Sequence, residues 1–198
     1  MVKVKYNDND HTYIVRGKRF GSVTDILQNM GYYDFSAVNR HVLERACARG
    51  TAIHETLQYL DQGVLHKYNY DKKADPYIEA WEKFKNRFRA IPYIIEKPLA
   101  SSIWQFAGTP DRVFQVGDYY ILVDLKTGQD MPYHDLQTAG YVVLVEENFK
   151  IKIKKRMTVR LIPHKYKVYH HTENVDRSIF LGSVQGYNWK VNKKVIKL

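Results

Sequence analysis

The chain has one cysteine, Cys47, among 198 residues. A lone thiol cannot close an intrachain disulfide, which points away from a secreted, stapled fold. It also cannot supply the four thiolates of an iron-sulfur cluster. Cys47 falls on a helical pattern in VLERACARG, where a small buried hydrophobe is expected. No apolar run reaches the roughly 18 to 20 residues of a membrane helix, and MVKVKYNDND has no signal-peptide apolar core. These absences lead to the expectation of a soluble protein of the cytoplasm. Acids are scarce as well: 21 Asp and Glu against 31 Lys and Arg leave a net charge of +10. Such a field attracts polyanions, nucleic acid foremost, although basic surfaces also serve membranes and acidic partners. Repeats and low-complexity linkers are missing. With 44% hydrophobic and 14% aromatic residues, the length suits one well-formed core, so residues 1–198 are read as a single domain.

What is present alternates between strand and helix patterns. Val2 to Tyr6 and Thr12 to Arg16 read as strands joined by the polar turn Asn7 to Asp10. Ser22 with Asp25 three positions on forms a capping-box pattern opening a helix toward Met30. A helix is expected from Ser36 to Ala48 with Gly50 as punctuation, then another from Thr51 to Leu60 stopped by Gly63, which puts His54 in a first turn. Asp75-Pro76 reads as a cap followed by proline, and Tyr77, Trp81, Phe84 and Phe88 form a stripe that is expected to be core rather than a base-stacking ladder. Beyond the central hairpin come a loop from Met131 to His134 and a helix from Asp135 to Glu146. Two strands around Pro163-His164 and a closing helix from Glu173 to Trp189 follow. The order implies an α/β fold, a sheet flanked by helices. Five basic residues lie between Lys150 and Arg156; they suit either a solvated strand face or a phosphate-tracking surface.

The chemistry is concentrated in AGTPDRVFQVGDYYILVDLKTG. Two β-branched and aromatic runs flank Gly117-Asp118, a two-residue hairpin pattern. If those two residues are the loop, Val116 opposes Tyr119, and counting back brings Asp111 opposite Asp124 with Cβ atoms about 5 Å apart. Facing carboxylates repel, and a divalent cation between them is the usual compensation. Lys126 lies two positions past Asp124, hence on the same sheet face, while Ile121, Val123 and Leu125 point into a core. The competing reading is a surface salt bridge between Asp111 and Lys126 with Asp124 a stray acid. Two acids and a lysine on one face suit phosphodiester hydrolysis.

GTPDRV, VDLKTG and LQTAGY, preceded by RGTAIHE, together resemble the PD-(D/E)xK nuclease superfamily. The likeness is to its RecB/AddB-like exonuclease branch, which includes the mitochondrial genome maintenance exonuclease and stand-alone phage exonucleases. It runs in order from Arg49 to Tyr141, and the single cysteine sets the chain apart from iron-sulfur-bearing relatives. The resemblance implies a restriction-endonuclease-like mixed central sheet flanked by helices. It implies that Asp111 and Asp124 ligate Mg²⁺ or Mn²⁺, with His54 and the backbone carbonyl of Leu125 as further ligands, and that Lys126 positions the attacking water and steadies charge. Gln137 and Tyr141 match a Q-x-x-x-Y element beside the site, and Glu96 matches an acidic position found in some members.

Each assignment has a plainer alternative. His54 could be an ordinary helix histidine, Gln137 and Tyr141 a surface pair four residues apart, and Glu96 the partner of a neighbouring Lys or Arg; Glu55 is read as structural. The resemblance further implies a deoxyribonuclease acting on DNA ends or single strands in recombination, repair or replication. A recombination or single-strand-binding protein is a conceivable partner, a membrane is not expected, and oligomeric state is left open. The rival readings are an inactive nucleic-acid-binding module on the same fold and an adaptor meeting an acidic partner. A virus-encoded enzyme in the host cytoplasm is the reading by analogy.

Overall fold

The computed structural model describes residues 2–8 and 10–198. In chain order the strands are β1 (Lys5–Asn7), β2 (Thr12–Val15), β3 (Lys18–Ser22), β4 (Ile91–Ile95), β5 (Leu99–Ser101), β6 (Phe106–Gly108), β7 (Arg112–Val116), β8 (Tyr119–Lys126), β9 (Ile153–Ile162) and β10 (Lys165–His171). The helices are α1 (Val23–Asn29), α2 (Arg40–Asp61), α3 (Asp75–Phe88), α4 (Tyr133–Phe149) and α5 (Val175–Asn192).

The expected mixed sheet has the order β10-β9-β8-β7-β4. Its centre is the hairpin, in the register counted from the sequence: Val116 pairs with Tyr119 and Arg112 with Val123. Gly117 takes φ +60°, which the tight turn requires. β8 and β9 are parallel, and α4 is the crossover that such a pair needs.

Strict alternation on β8 separates two cores. Ile121, Val123 and Leu125 pack with Ile53 and Leu57 of α2 and Trp81 and Phe84 of α3. On the other face Leu122 and Val113 meet Val143 to Val145 of α4, Phe180 of α5 and Ile26 of α1. Trp81 and Phe84 are fully buried and stack at 5.1 Å, so the α3 stripe is core, each such ring contributing about 1.5–3 kcal/mol.

A second five-stranded sheet, β1-β2-β3-β6-β5, goes beyond what the sequence suggested, which was its first two strands. Its three-residue strands are too short for a period-2 pattern to register. β6 runs straight into GTPD, so this sheet fixes the approach to Asp111.

Several boundaries differ from expectation. β1 covers Lys5–Asn7 rather than Val2 to Tyr6, with Lys5 paired to Ile14; Asn9, within the expected turn, lies outside the described residues. The capping box of α1 is present in both halves. Asp75 is not a cap but the first residue of α3, and it accepts from the Tyr70 hydroxyl at 2.9 Å. α4 starts at Tyr133, earlier than expected, and ends at Phe149.

The larger correction is α2, one continuous helix through Gly50, with His54 in its interior rather than in a first turn. A Cβ on Gly50 would lie 3.4 Å from Thr127 Oγ1, so the helix passes close to the loop after Lys126 with room left for a small side chain. Cys47 is exposed, not buried: the buried residues of α2 are Ile53, Thr56 and Leu57, and its first half lies on no core. Among the described residues no helix is long and apolar enough to cross a membrane.

Candidate active site

Gly108 closes β6 where a Cβ would come within 3.0 Å of both Tyr141 Cε1 and Val23 Cγ2. The chain can therefore pass tightly under α4 before Asp111. The β7–β8 ladder stops at Arg112 and Val123, one pair short of Asp111 and Asp124. Asp111 instead turns its Oδ2 onto the backbone amide of Leu125, which donates at 2.6 Å. That bond ties the start of β7 to the end of β8 and fixes Asp111 beside the acid-x-lysine segment.

Three groups from separate elements converge there. His54 of α2, Glu96 just past β4, and Asp111 offer ligand atoms that all lie within 4.8 Å of one another. His54 Nδ1 is 3.8 Å from Asp111 Oδ2 and 3.9 Å from Glu96 Oε1. Glu96 does not sit on the apolar strand, as the sequence suggested, but one residue beyond it at φ +40°. A non-glycine residue there is strained by roughly 1–2 kcal/mol. Its amide donates to the Asp111 carbonyl at 3.0 Å, which holds the turn. Burial and the Asp111 carboxylate push the Glu96 carboxyl up to about 8, against the opposing pull of Arg112.

Arg112 is the residue that sequence reasoning missed. It is fully buried and donates from Nε to Asp61 Oδ2 at 2.7 Å. From Nη1 it reaches Glu96 Oε1 at 2.8 Å and the Asp111 carbonyl at 2.7 Å. Asp61 also accepts from Trp81 Nε1 at 3.1 Å and from Lys85 Nζ at 2.7 Å. A chain of charges thus runs from α3 to Glu96. The period-2 rule held the clue: Arg112 pairs with Val123 on the core face, and a buried cation needs acids around it.

Asp124 stands differently. It is 1% exposed, and both carboxylate oxygens lack hydrogen-bond partners. The Lys126 ammonium comes within 2.6 Å of Oδ2, an ion-pair contact without hydrogen-bond angles. Burial raises the Asp124 carboxyl above its ordinary range; Lys126 opposes this and Asp111 adds to it. Burial pulls Lys126 down, but Asp124 and Asp111 outweigh it and hold the ammonium above the usual lysine range.

Gln137 and Tyr141 share a face of α4 as their spacing predicts, with Gln137 Nε2 donating to the Tyr141 hydroxyl at 3.2 Å. Both are buried rather than surface residues. Gln137 Oε1 has no partner. Burial, with Asp124 and Asp111 nearby, keeps the Tyr141 phenol well above its ordinary range. His134, also buried, accepts from the Met131 amide at 3.1 Å and is held below the ordinary histidine range by burial and by Lys126. Glu55 is exposed and accepts from Tyr59 at 2.7 Å, in keeping with a structural role.

This donor set fits a hard divalent cation. Carboxylates dominate it, with one imidazole, and Asp124, buried with Oδ1 unpartnered and Oδ2 met by the Lys126 ammonium, keeps an acceptor open to a cation or a proton. Asp111, Glu96 and His54 lie together, and Leu125 donates its amide to Asp111 while its side chain enters the core.

Comparison with known proteins gives a family from sequence and a similar fold from structure. A sequence profile described as the PD-(D/E)XK nuclease superfamily matches residues 64–178, a span that includes Glu96, Asp111, Asp124, Lys126, Gln137 and Tyr141 and leaves His54 outside. The fold is similar to that of a candidate exonuclease from Eubacterium rectale, with a TM-score of 0.51 and 12% identity over 75% of this chain and 69% of that one. A second solved structure, SSO0001, has a TM-score of 0.45 and 17% identity over 86% of this chain and 75% of that one. No curated protein matches the chain.

Proposed function

Because the chain belongs to the PD-(D/E)XK nuclease superfamily, we propose that it is a Mg²⁺- or Mn²⁺-dependent deoxyribonuclease that digests DNA ends or single strands. The buried Asp124 carboxylate carries this reading. Its Oδ1 has no donor, its Oδ2 meets the Lys126 ammonium at 2.6 Å, and Asp111, which groups with His54 and Glu96, is close enough to raise its pKa.

Asp111, Asp124, His54 and the Leu125 carbonyl would hold the ion, with Glu96 as a further acid. When bound, such an ion lowers the pKa of a coordinated water and neutralises charge on phosphoryl oxygens. The protein's own groups do the rest. Lys126, whose ammonium is held above the usual lysine range by Asp124 and Asp111, would position the water or donate to the phosphoryl oxygens. Its charge sits where the pentavalent transition state gains negative charge. Gln137, with its free Oε1, orients a donor on the water or on the lysine. Tyr141 remains a neutral phenol and braces Gln137.

The exonuclease mode and a role in recombination, repair or replication rest on the RecB/AddB-like motifs around Asp111, Asp124 and Gln137. The test is cleavage of end-labelled single- and double-stranded DNA with Mg²⁺ or Mn²⁺ by wild type, Asp124→Asn and Lys126→Ala. Metal-dependent shortening from ends that both variants lose is the expected result; equal rates in all three proteins would end the proposal. Tight DNA binding without products would make the chain a binding module.

A further inference from the structure

On the open side of Lys126 the sheet continues with two more cations. The parallel register of β8 and β9 pairs Asp124 with Thr158 and Lys126 with Arg160. The antiparallel register of β9 and β10 pairs Arg160 with Lys167. Paired residues share a sheet face. The core contacts agree: Val159, Leu161, Tyr166 and Val168 pack on the α3 side, which leaves Arg160 and Lys167 on the side of Asp124 and Lys126. Lys126, Arg160 and Lys167 therefore stand in one row across three strands, about 10 Å long at the usual strand spacing.

Like charges directly opposite one another destabilise a sheet, and this row has little to offset that cost. Asp124 serves Lys126, but neither Arg160 nor Lys167 has an acidic partner among the described residues. Arg160 is half-buried, and its Nε is buried with no hydrogen-bond acceptor. A guanidinium with no acid or acceptor of its own is open to an anion at its outer nitrogens, and its fork suits phosphate. Lys167 is exposed at the edge strand.

We propose that Arg160 and Lys167 form a track for backbone phosphates of a single nucleic-acid strand, leading from Lys126 across β9 and β10. Arg160 binds the phosphate next to the one beside Lys126, and Lys167 the one beyond. The identity of the ligand rests on the nuclease reading; the row itself does not.

The test measures binding of fluorescent single-stranded DNA by anisotropy in EDTA at several salt concentrations, where no cleavage interferes, followed by steady-state cleavage kinetics. Each lost phosphate contact lowers the slope of log K against log salt by about 0.7. Arg160→Ala is expected to show that loss and to raise KM by about tenfold, more than it lowers kcat. Arg160→Lys, which keeps the charge, is expected to recover most of the slope. Wild-type affinity and slope in a folded Arg160→Ala protein would overturn the track. If that variant does not fold, exposed Lys167→Glu decides, since an unchanged slope there overturns it equally. A wild type that cuts nothing, combined with slopes that move, would remove the nuclease reading and keep the track. Cleavage abolished by Asp124→Asn, with slopes that do not move, would do the reverse.

Discussion

On the α2 side of the site, Glu96 and Asp111 are tied into a buried framework, whereas on the α4 side Asp124 has only the Lys126 ammonium for company. Arg112 reaches Asp61, Glu96 and the Asp111 carbonyl at once, and Asp111 also accepts from Leu125. Asp124 and Gln137 keep unpartnered oxygens. One half is positioned by bonds within the protein; the other leaves acceptors open at a place the first half has fixed. That division is what a preorganised ligand site requires, because groups that must meet an ion cannot be saturated beforehand.

The sharpest way to break this contrast is to remove charge from the open half. Asp124→Asn removes the acid without changing its shape, and Lys126→Ala removes the one cation beside it. Each is expected to slow DNA cleavage by about 10²–10⁴-fold, the range for a lost electrostatic or proton-handling group. Asp124→Asn should leave the urea midpoint near or above that of wild type, because an amide is easier to bury than a carboxylate, whereas Lys126→Ala, which strips a buried acid of its ion-pair partner, should lower it. End-labelled cleavage time courses and urea titrations check the two halves of this statement. Calorimetry with Mn²⁺ on Asp124→Asn is expected to show weakened binding.

The framed half should fail differently. Arg112→Ala leaves Asp61 and Glu96 buried with fewer partners, and breaking such a pair costs about 3–5 kcal/mol. Chemical denaturation of the metal-free protein measures that loss. Arg112→Lys keeps the charge but cannot span both acids, so it should recover only part of the stability. Activity lost by Arg112→Ala with stability unchanged would mean that Arg112 acts on substrate rather than through Glu96.

How much of this was legible follows from what sets each feature. The hairpin register came from counting because a two-residue turn and period-2 alternation leave no freedom, and that count also placed Lys126 against Asp124. The stripe of α3 was legible from its 3.6 periodicity. Glu96 could be suspected but not placed, since its position depends on a left-handed turn that only the Asp111 carbonyl and Arg112 stabilise. Gly50 misled because a glycine reads locally as a helix stop, whereas here it lies inside α2 without a positive φ. The exposure of Cys47 was hidden for a similar reason, as a helix pattern does not say how far the body it packs on extends. The second sheet was unreadable because pairings of three-residue strands are made by distant neighbours.

A more gradual effect separates the halves by pH. Glu96 titrates at about 8 in the folded protein against an ordinary 4.5. Between those values the folded state holds a proton that the unfolded chain has released, so unfolding gives up a proton and stability falls as pH rises. The contribution is fully present below the lower value and gone above the upper one, with a slope of at most about 1.4 kcal/mol per pH unit. Urea midpoints in EDTA from about pH 5 to about pH 9 are expected to decline in wild type and to flatten in Glu96→Gln. Because the same proton competes with a cation, apparent Mn²⁺ affinity should rise across that window.

The least disruptive test lies where the halves touch. Gly50 on the His54 helix faces Thr127, which follows Lys126, with room for a Cβ at 3.4 Å from Oγ1. It sits inside α2 and is not among the residues of positive φ, so alanine meets no backbone penalty there. Replacing a helix-interior glycine by alanine stabilises by about 0.5–1 kcal/mol through chain entropy and propensity. Gly50→Ala is therefore expected to raise the urea midpoint slightly. A helix broken at Gly50 would respond in the opposite direction. If stability rises while cleavage slows, the contact with Thr127 transmits small shifts of α2 to Lys126, and the two halves are less independent than their hydrogen bonds suggest. If both are undisturbed, the framed half can be stiffened without reaching the open one, as the separate bonding of Arg112 and Asp124 implies.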